Sequence, residues 1–164
     1  MAGSHLPPLF SERVNVVIFY DFEVFKEDWL AVFIDVTKKK EYVIINNPDE
    51  LKALYEANSK DIWVGYNNRH YDQYIFKGIL LGMNPKRIND WIIVEKKEGW
   101  QFSSAFNKVP MINYDVMPNP PVGLKTLEGA VRTHLFPVNV TLFLFQVFLI
   151  SRQIRKPIHQ LTQS

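Results

Sequence analysis

The chain of 164 residues has no cysteine, which excludes disulfides and thiolate metal sites together and fits a reducing, cytoplasmic setting. Carboxylates are the second shortage. All 17 acidic residues lie at or before Glu128, and residues 129–164 carry only Arg132, Arg152, Arg155 and Lys156 as formal charges. The net charge of +2 therefore hides a division: 15 basic against 17 acidic residues up to Glu128, and four basic residues alone beyond it. A solvated domain normally mixes both signs, with roughly a quarter of its residues charged, so an acid-free stretch of this length is unusual. Long apolar runs are missing as well. Val138–Ile150, broken only by Asn139, Thr141 and Gln146, is 13 residues, short of the roughly 20 that cross a bilayer. A buried helix or strand is its expected role, with a membrane-surface segment as the alternative because basic residues follow. No basic n-region, apolar core and cleavage site open the chain, so secretion is not expected. Met1–Pro8 reads as a tag or leader, and residues 1–13 are set aside.

What is present suffices for one domain with a core: 47% of residues are apolar and 14% aromatic, a globular composition. Val14–Tyr20 is a β-branched run ending at an acidic residue and reads as a buried central strand. Trp29–Val36 and Glu41–Ile45 are two further strands joined by a hairpin turn at Thr37–Lys40. Asn47 is placed to cap a helix with Pro48 in its first turn and Leu51, Leu54 and Tyr55 at helical spacing. Ile62–Tyr66 is a fourth strand. Tyr71–Leu81 is a helix with Tyr74, Ile75, Ile79 and Leu80 toward the core and Gly82 at its end. Asn84-Pro85 opens another, running to about Val94. Trp100–Phe102 and Met111–Val116 read as strands, Pro118–Pro121 as a loop, and Leu124–Ala130 as the start of a helix. Three strands, a helix, a strand, a helix and a further strand predict an α/β fold of the ribonuclease-H-like kind, a mixed sheet flanked by helices.

Asp21 and Glu23 stand two apart at the end of the first strand, so both side chains leave the same face. Paired carboxylates at the edge of an apolar sheet repel each other unless a cation neutralises them, and hard cations such as Mg²⁺ or Mn²⁺ prefer such oxygen ligands. Alone, the pair is more often an acidic strand end facing water. A second element runs Gly65-Tyr66-Asn67-Asn68-Arg69-His70-Tyr71-Asp72: a strand end, a polar turn, and an Asp at a helix start. An Asp there also has a plain role, complementing the helix dipole.

Taken together these residues resemble the DEDD-type 3′→5′ exonucleases, most closely the proofreading domains of family B DNA polymerases and their phage relatives. Asp21-Phe22-Glu23 matches the family's first motif, D-x-E. Gly65-Tyr66-Asn67 followed by Tyr71-Asp72 matches the second, N-x-x-x-F/Y-D. Asn113-Tyr114-Asp115, then Gly123-Leu124-Lys125-Thr126-Leu127-Glu128, resembles the strand and helix that come next. The resemblance covers about residues 14–130.

It implies hydrolysis of DNA from a 3′ end, on single-stranded DNA, by a two-metal site in which Asp21, Glu23 and Asp72 hold Mg²⁺ or Mn²⁺ ions about 4 Å apart. The second ion would be weakly held. Phe22 and Tyr71 are candidates to stack on the terminal base, with core packing as the alternative. Asn67 would orient the turn or the terminal nucleotide, and Arg69 and His70 would touch phosphate unless they merely solvate the loop. The setting implied is the cytoplasm of a bacterial host or phage-infected cell.

The match breaks at the third motif, Y-x-x-x-D or H-x-x-x-x-D, whose Asp is the fourth ligand. No Asp or Glu follows Glu128, and neither His134 nor His159 is followed by one. Residues 131–164 therefore read as an atypical apolar and basic segment, with the family fold truncated or altered there and catalysis impaired. Asp115 is a poor substitute ligand and fits better as a hydrogen-bonding strand end. Two other readings compete: a catalytically inactive exonuclease-fold module that binds nucleic acid or protein, and an interaction protein that self-associates through Val138–Ile150.

Overall fold

Alternation along the first strand sets the architecture. In β1 (Val17–Val24), Ile18, Tyr20 and Phe22 enter one apolar cluster, while Val17 and Phe19 join a second on the opposite face. The structure is a computed structural model that describes residues 15–117. The expected leader, the Leu124–Ala130 helix, the Gly123–Glu128 match and the apolar run Val138–Ile150 lie outside the described residues.

Five strands form one mixed sheet in the order β3-β2-β1-β4-β5. β2 (Trp29–Asp35) pairs antiparallel with β1 and with β3 (Lys40–Ile45). β4 (Ile62–Gly65) pairs parallel with β1, and β5 (Ile112–Asp115) parallel with β4. β2 is buried along its whole length, as a strand covered on both faces must be. Its hairpin to β3 is tied by Asp35, whose Oδ1 accepts the Thr37 and Lys38 N–H groups at 3.0 and 2.9 Å.

Helices α1 (Pro48–Ala57), α2 (Asp72–Leu80) and α3 (Pro85–Asn89) follow the expected chain order. Asn47 caps α1 by accepting the Glu50 N–H at 3.2 Å, and Asp49 and Glu50 favour its positive end. Leu51, Ile75, Phe76, Ile79 and Ile88 all pack on the Tyr20–Phe22 face. That core is aromatic: Phe76 lies 5.1 Å from Trp63, 5.4 Å from Phe22 and 5.7 Å from both Tyr20 and Phe33, ring centre to ring centre. Such pairs each add about 0.5–1.5 kcal/mol beyond the area they bury. Gly82 ends the α2 region with a positive φ of 71°.

Three expectations change. β1 starts three residues later than read and runs through both acids to Val24, because its antiparallel pairing with β2 continues to Val24↔Trp29. The helix from Pro85 reaches Val94, but widens into a π-type turn over Asp90–Val94. Trp100–Phe102 is no strand: Gly99–Gln101 is a 3₁₀ turn. Gly99 there lies against the Tyr74 ring, where a Cβ would come within 2.1 Å of Cδ2, and Phe102 packs on Trp91 and Phe106. Ring contacts with the α2–α3 side hold the segment where a sheet ladder was expected. Among the described residues no helix is long and apolar enough to cross a membrane.

Candidate active site

β1 outruns its parallel neighbour. Its pairing with β4 ends at Phe19↔Val64, and β4 itself stops at Gly65, while β1 continues to Val24. A notch is left on that edge, where backbone donors must find another partner. Asp72, the first residue of α2, fills it: its Oδ1 accepts the Phe22 N–H at 2.9 Å, across fifty residues of sequence. The second acidic motif is thereby fastened into the middle of the first.

Asp21 and Glu23 flank that bond. Strand alternation sends them to the face of Val17 and Phe19, away from the aromatic cluster, and both are half-buried. Their cross-strand neighbours on β2 are the fully buried Val32 and Leu30. Asp72 is 6% exposed. Its carboxyl is held well above the usual range, first by burial and then by repulsion from Asp21, with Glu23 adding to it and the Phe22 and Asp72 backbone N–H groups opposing. The Tyr71 hydroxyl is pushed up too, first by burial, then by Asp72, Glu23 and Asp21. The three acids thus share one electrostatic environment. Among the described residues, no three His, Cys, Asp or Glu side chains are gathered closely enough to hold an ion as they stand.

The aromatic candidates are placed differently from each other. Phe22 is 3% exposed within the ring cluster, so it packs the core and is not available to stack on a base. The physical reason is its position between two outward-facing acids on an alternating strand. Tyr71 is half-buried against the same cluster, and its hydroxyl donates to Asn89 Oδ1 at 2.7 Å. Arg69 and His70 are exposed, and the Arg69 carbonyl accepts the Gln73 side-chain amide at 2.6 Å.

Asn67 adopts a left-handed conformation, φ 56°, which Asn tolerates better than most residues. Its N–H donates to Asp115 Oδ1 at 2.9 Å, and the Arg69 N–H to Asp115 Oδ2 at 3.0 Å. Asp115 is therefore a hydrogen-bonding strand end, as its position suggested. Sequence reading passed over Asn68, which is fully buried and donates to Asn113 Oδ1 at 2.9 Å and to the Tyr114 carbonyl at 3.1 Å. Tyr20 donates to the same Asn113 oxygen at 3.0 Å. Gly65 makes room for this: a Cβ there would sit 2.7 Å from Asn68 Nδ2. These partners are 45 or more residues apart, and no local pattern announces them.

Beyond Glu23 a half-open cleft of 410 Å³ lies between the β1–β2 turn and the start of α3. Its lining charges balance, with Lys26 and Lys86 against Glu27 and Asp28, and Lys86 is already paired with Asp90. No family model matches the chain, and neither a curated protein nor a solved structure does.

Proposed function

We propose that this chain is a metal-dependent 3′→5′ exonuclease-type domain, acting on single-stranded DNA or a DNA 3′ end in the cytoplasm. The observation that carries the reading is the bond from Phe22 N–H to Asp72 Oδ1, which unites the D-x-E and N-x-x-x-Y-D segments. The sheet order, with two antiparallel strands on one side of β1 and two parallel strands on the other, supports a ribonuclease-H-like assignment.

The donor set suits a hard divalent cation. Asp21 and Glu23 raise the proton affinity of the buried Asp72 carboxyl, and a positive charge held among the three relieves that repulsion. Asp21, Glu23 and Asp72 would hold Mg²⁺ or Mn²⁺. When bound, such ions supply an activated water and stabilise the leaving oxygen. In the reaction a water oxygen bonds to the terminal phosphorus, the bond to the penultimate 3′ oxygen breaks, and that oxygen takes up a proton. The products are a nucleoside 5′-monophosphate and a shortened strand. Asp72, tied to β1, fixes the distance between the two motifs; Asn67 shapes the turn that delivers it; Tyr71 closes the site from the α2 side. A positioned general base contributes about 10²–10⁴-fold; residues 129–164 hold no Asp or Glu and supply no such carboxylate, so these 164 residues by themselves are expected to turn over slowly.

A second reading, an inactive module of the same fold that binds nucleic acid or protein, is favoured by the burial of Asp72, which is 6% exposed and already accepts the Phe22 N–H. The deciding experiment is degradation of 3′-labelled single-stranded DNA with Mg²⁺ or Mn²⁺, beside thermal unfolding with and without Mn²⁺. Slow metal-dependent loss of the label, abolished in Asp21→Ala, is the expected result. Mn²⁺ should also stabilise the parent but not the Asp21→Asn, Glu23→Gln double variant. Equal Mn²⁺ responses in the two proteins would reduce the acids to ordinary surface groups.

A further inference from the structure

We infer that Asp115 is the positioning residue of this site, holding the Asn67–Arg69 turn so that Asp72 reaches β1. The inference rests on the proposed carboxylate site and names the device that builds it.

Asp115 is the last residue of β5, in register with Gly65 at the end of β4. Its carboxylate accepts three backbone N–H groups: Asn67 and Met117 at Oδ1, both at 2.9 Å, and Arg69 at Oδ2, at 3.0 Å. Two of the three donors belong to the turn that precedes Asp72. The turn continues inward, with Asn67 and Asn68 carbonyls accepting the His70 and Gln73 N–H groups at 3.2 and 3.1 Å. Then comes Asp72, bonded to Phe22 N–H. Two carboxylates thus pin the segment 67–72, one at each end and to different strands. Between them the Asn68 amide plugs the gap beside Asn113 and Tyr114.

The chemistry at position 115 is specific. An unprotonated carboxylate offers acceptors only, and here both oxygens meet N–H donors. An amide would turn an NH₂ group toward one of those donors and lose that side of the clamp. Asn67 sits in a left-handed conformation that L residues adopt only at a cost, so the turn needs its hydrogen bonds to persist. Without them it relaxes, and the helix start that carries Asp72 moves with it.

The test reads the Asp72–Phe22 bond directly, by amide hydrogen exchange of the Phe22 N–H in metal-free protein. Asp72→Ala calibrates the signal by deleting the acceptor. In Asp115→Asn, the Phe22 amide should exchange about fivefold faster or more, the loss expected when a hydrogen bond of ordinary strength is given up. Amides paired inside β1–β2 should keep their protection. Asp115→Glu, which retains both oxygens but displaces them by a methylene, should show the same effect and serves if the Asn variant does not fold. Unchanged Phe22 protection in whichever variant folds overturns the inference, since the clamp would then be local to residues 67–69. A parallel Mn²⁺ titration separates this from the functional reading. A parent that ignores Mn²⁺ while Phe22 responds to Asp115 leaves the positioning intact and sinks the metal site. A parent that binds Mn²⁺ with Phe22 indifferent to Asp115 does the reverse.

Discussion

The two halves of the site are held by opposite kinds of force. Under α1 and α2 the sheet is fastened by rings: Tyr20, Phe22, Phe33, Trp63 and Phe76 are each buried and joined mainly by edge-to-face contacts, with Tyr20 and Phe33 stacked. At the β4–β5 rim the turn 67–72 is fastened by directed polar bonds from Asp115, Asn68 and Asp72. Burial is non-directional and tolerates small shifts, whereas a hydrogen bond depends on the angle of approach and weakens steeply when its donor turns away. The core supplies stability and the rim supplies placement, and the two should fail differently.

The largest effect belongs to the core. Phe76→Ala removes the ring that meets Tyr20, Phe22, Phe33, Tyr55 and Trp63, and should cost about 3–5 kcal/mol in urea unfolding. A loss under 1 kcal/mol would mean the cluster is loosely packed and the contrast with the rim is false. Gly65→Ala attacks the rim instead. Its Cβ would fall 2.7 Å from Asn68 Nδ2 and 2.8 Å from Asn68 Cβ, which should cost about 1–3 kcal/mol and weaken protection of the Asn67 and Arg69 amides. If stability drops while those amides stay protected, Asn68 is not the plug described here.

These two positions also show what the sequence discloses and what it withholds. The strand and helix order was legible because apolar residues recur with the right period: β1 to β3, α1 with its Asn47 cap, and α2 stand close to where the pattern put them. The pairing of Asp21 with Glu23 on one face was legible for the same reason. For Phe22 the sequence leaves stacking on a base and core packing both open, and the structure places its ring in the core, on the face opposite Asp21 and Glu23. Trp100–Phe102 reads as a strand because Trp and Phe suit one locally, while contacts of Gly99 with Tyr74 and of Phe102 with Trp91 and Phe106 decide the segment's shape. Asn68 and Asn113 could not be paired from sequence, since a hydrogen bond between residues 45 apart leaves no periodic trace.

A smaller effect tests the electrostatics of the rim. The Asp72 carboxyl binds its proton more tightly folded than unfolded, where it would titrate near about 3.9. As pH rises above that value the unfolded chain has released the proton and the folded one has not, so stability falls until the folded group titrates. Asp72→Asn keeps an acceptor for Phe22 N–H and removes the charge. In chelator at pH 7 it should be more stable than the parent by about 1 kcal/mol or more, with a flatter stability curve above pH 4. A less stable variant with the parent's pH profile would show that Asp72 is ionised at no cost.

The smallest effect lies far from both regions. Lys38 Nζ meets Asp35 Oδ2 at 3.1 Å, and its ammonium is held above the usual lysine range by that hydrogen bond and charge. Lys38 is over half exposed, and Asp35 already accepts two backbone N–H groups. Lys38→Met should therefore cost only about 0.5 kcal/mol after screening. A raised lysine contributes below its unfolded pKa and loses its contribution as pH climbs through the folded one. The difference from the parent should accordingly be level across neutral pH and vanish in strong alkali. A cost as large as that of Gly65→Ala would move the hairpin into the class of the rim.

The alternation of β1 has a consequence for folding errors. β2 is buried along its whole length and apolar on both faces from Trp29 to Ile34, so that stretch does little to fix the alignment of β1. β1 supplies the instruction, because a slip by one residue exchanges its two faces. Asp21 and Glu23 would then be driven among the rings, and Phe22 would be turned out beside Val17's former neighbours. Burying two carboxylates among aromatic rings costs several kcal/mol each, more than a misaligned ladder could return. The acids proposed to hold a cation in the finished protein thus act, before any cation arrives, as the sentinels of strand frame.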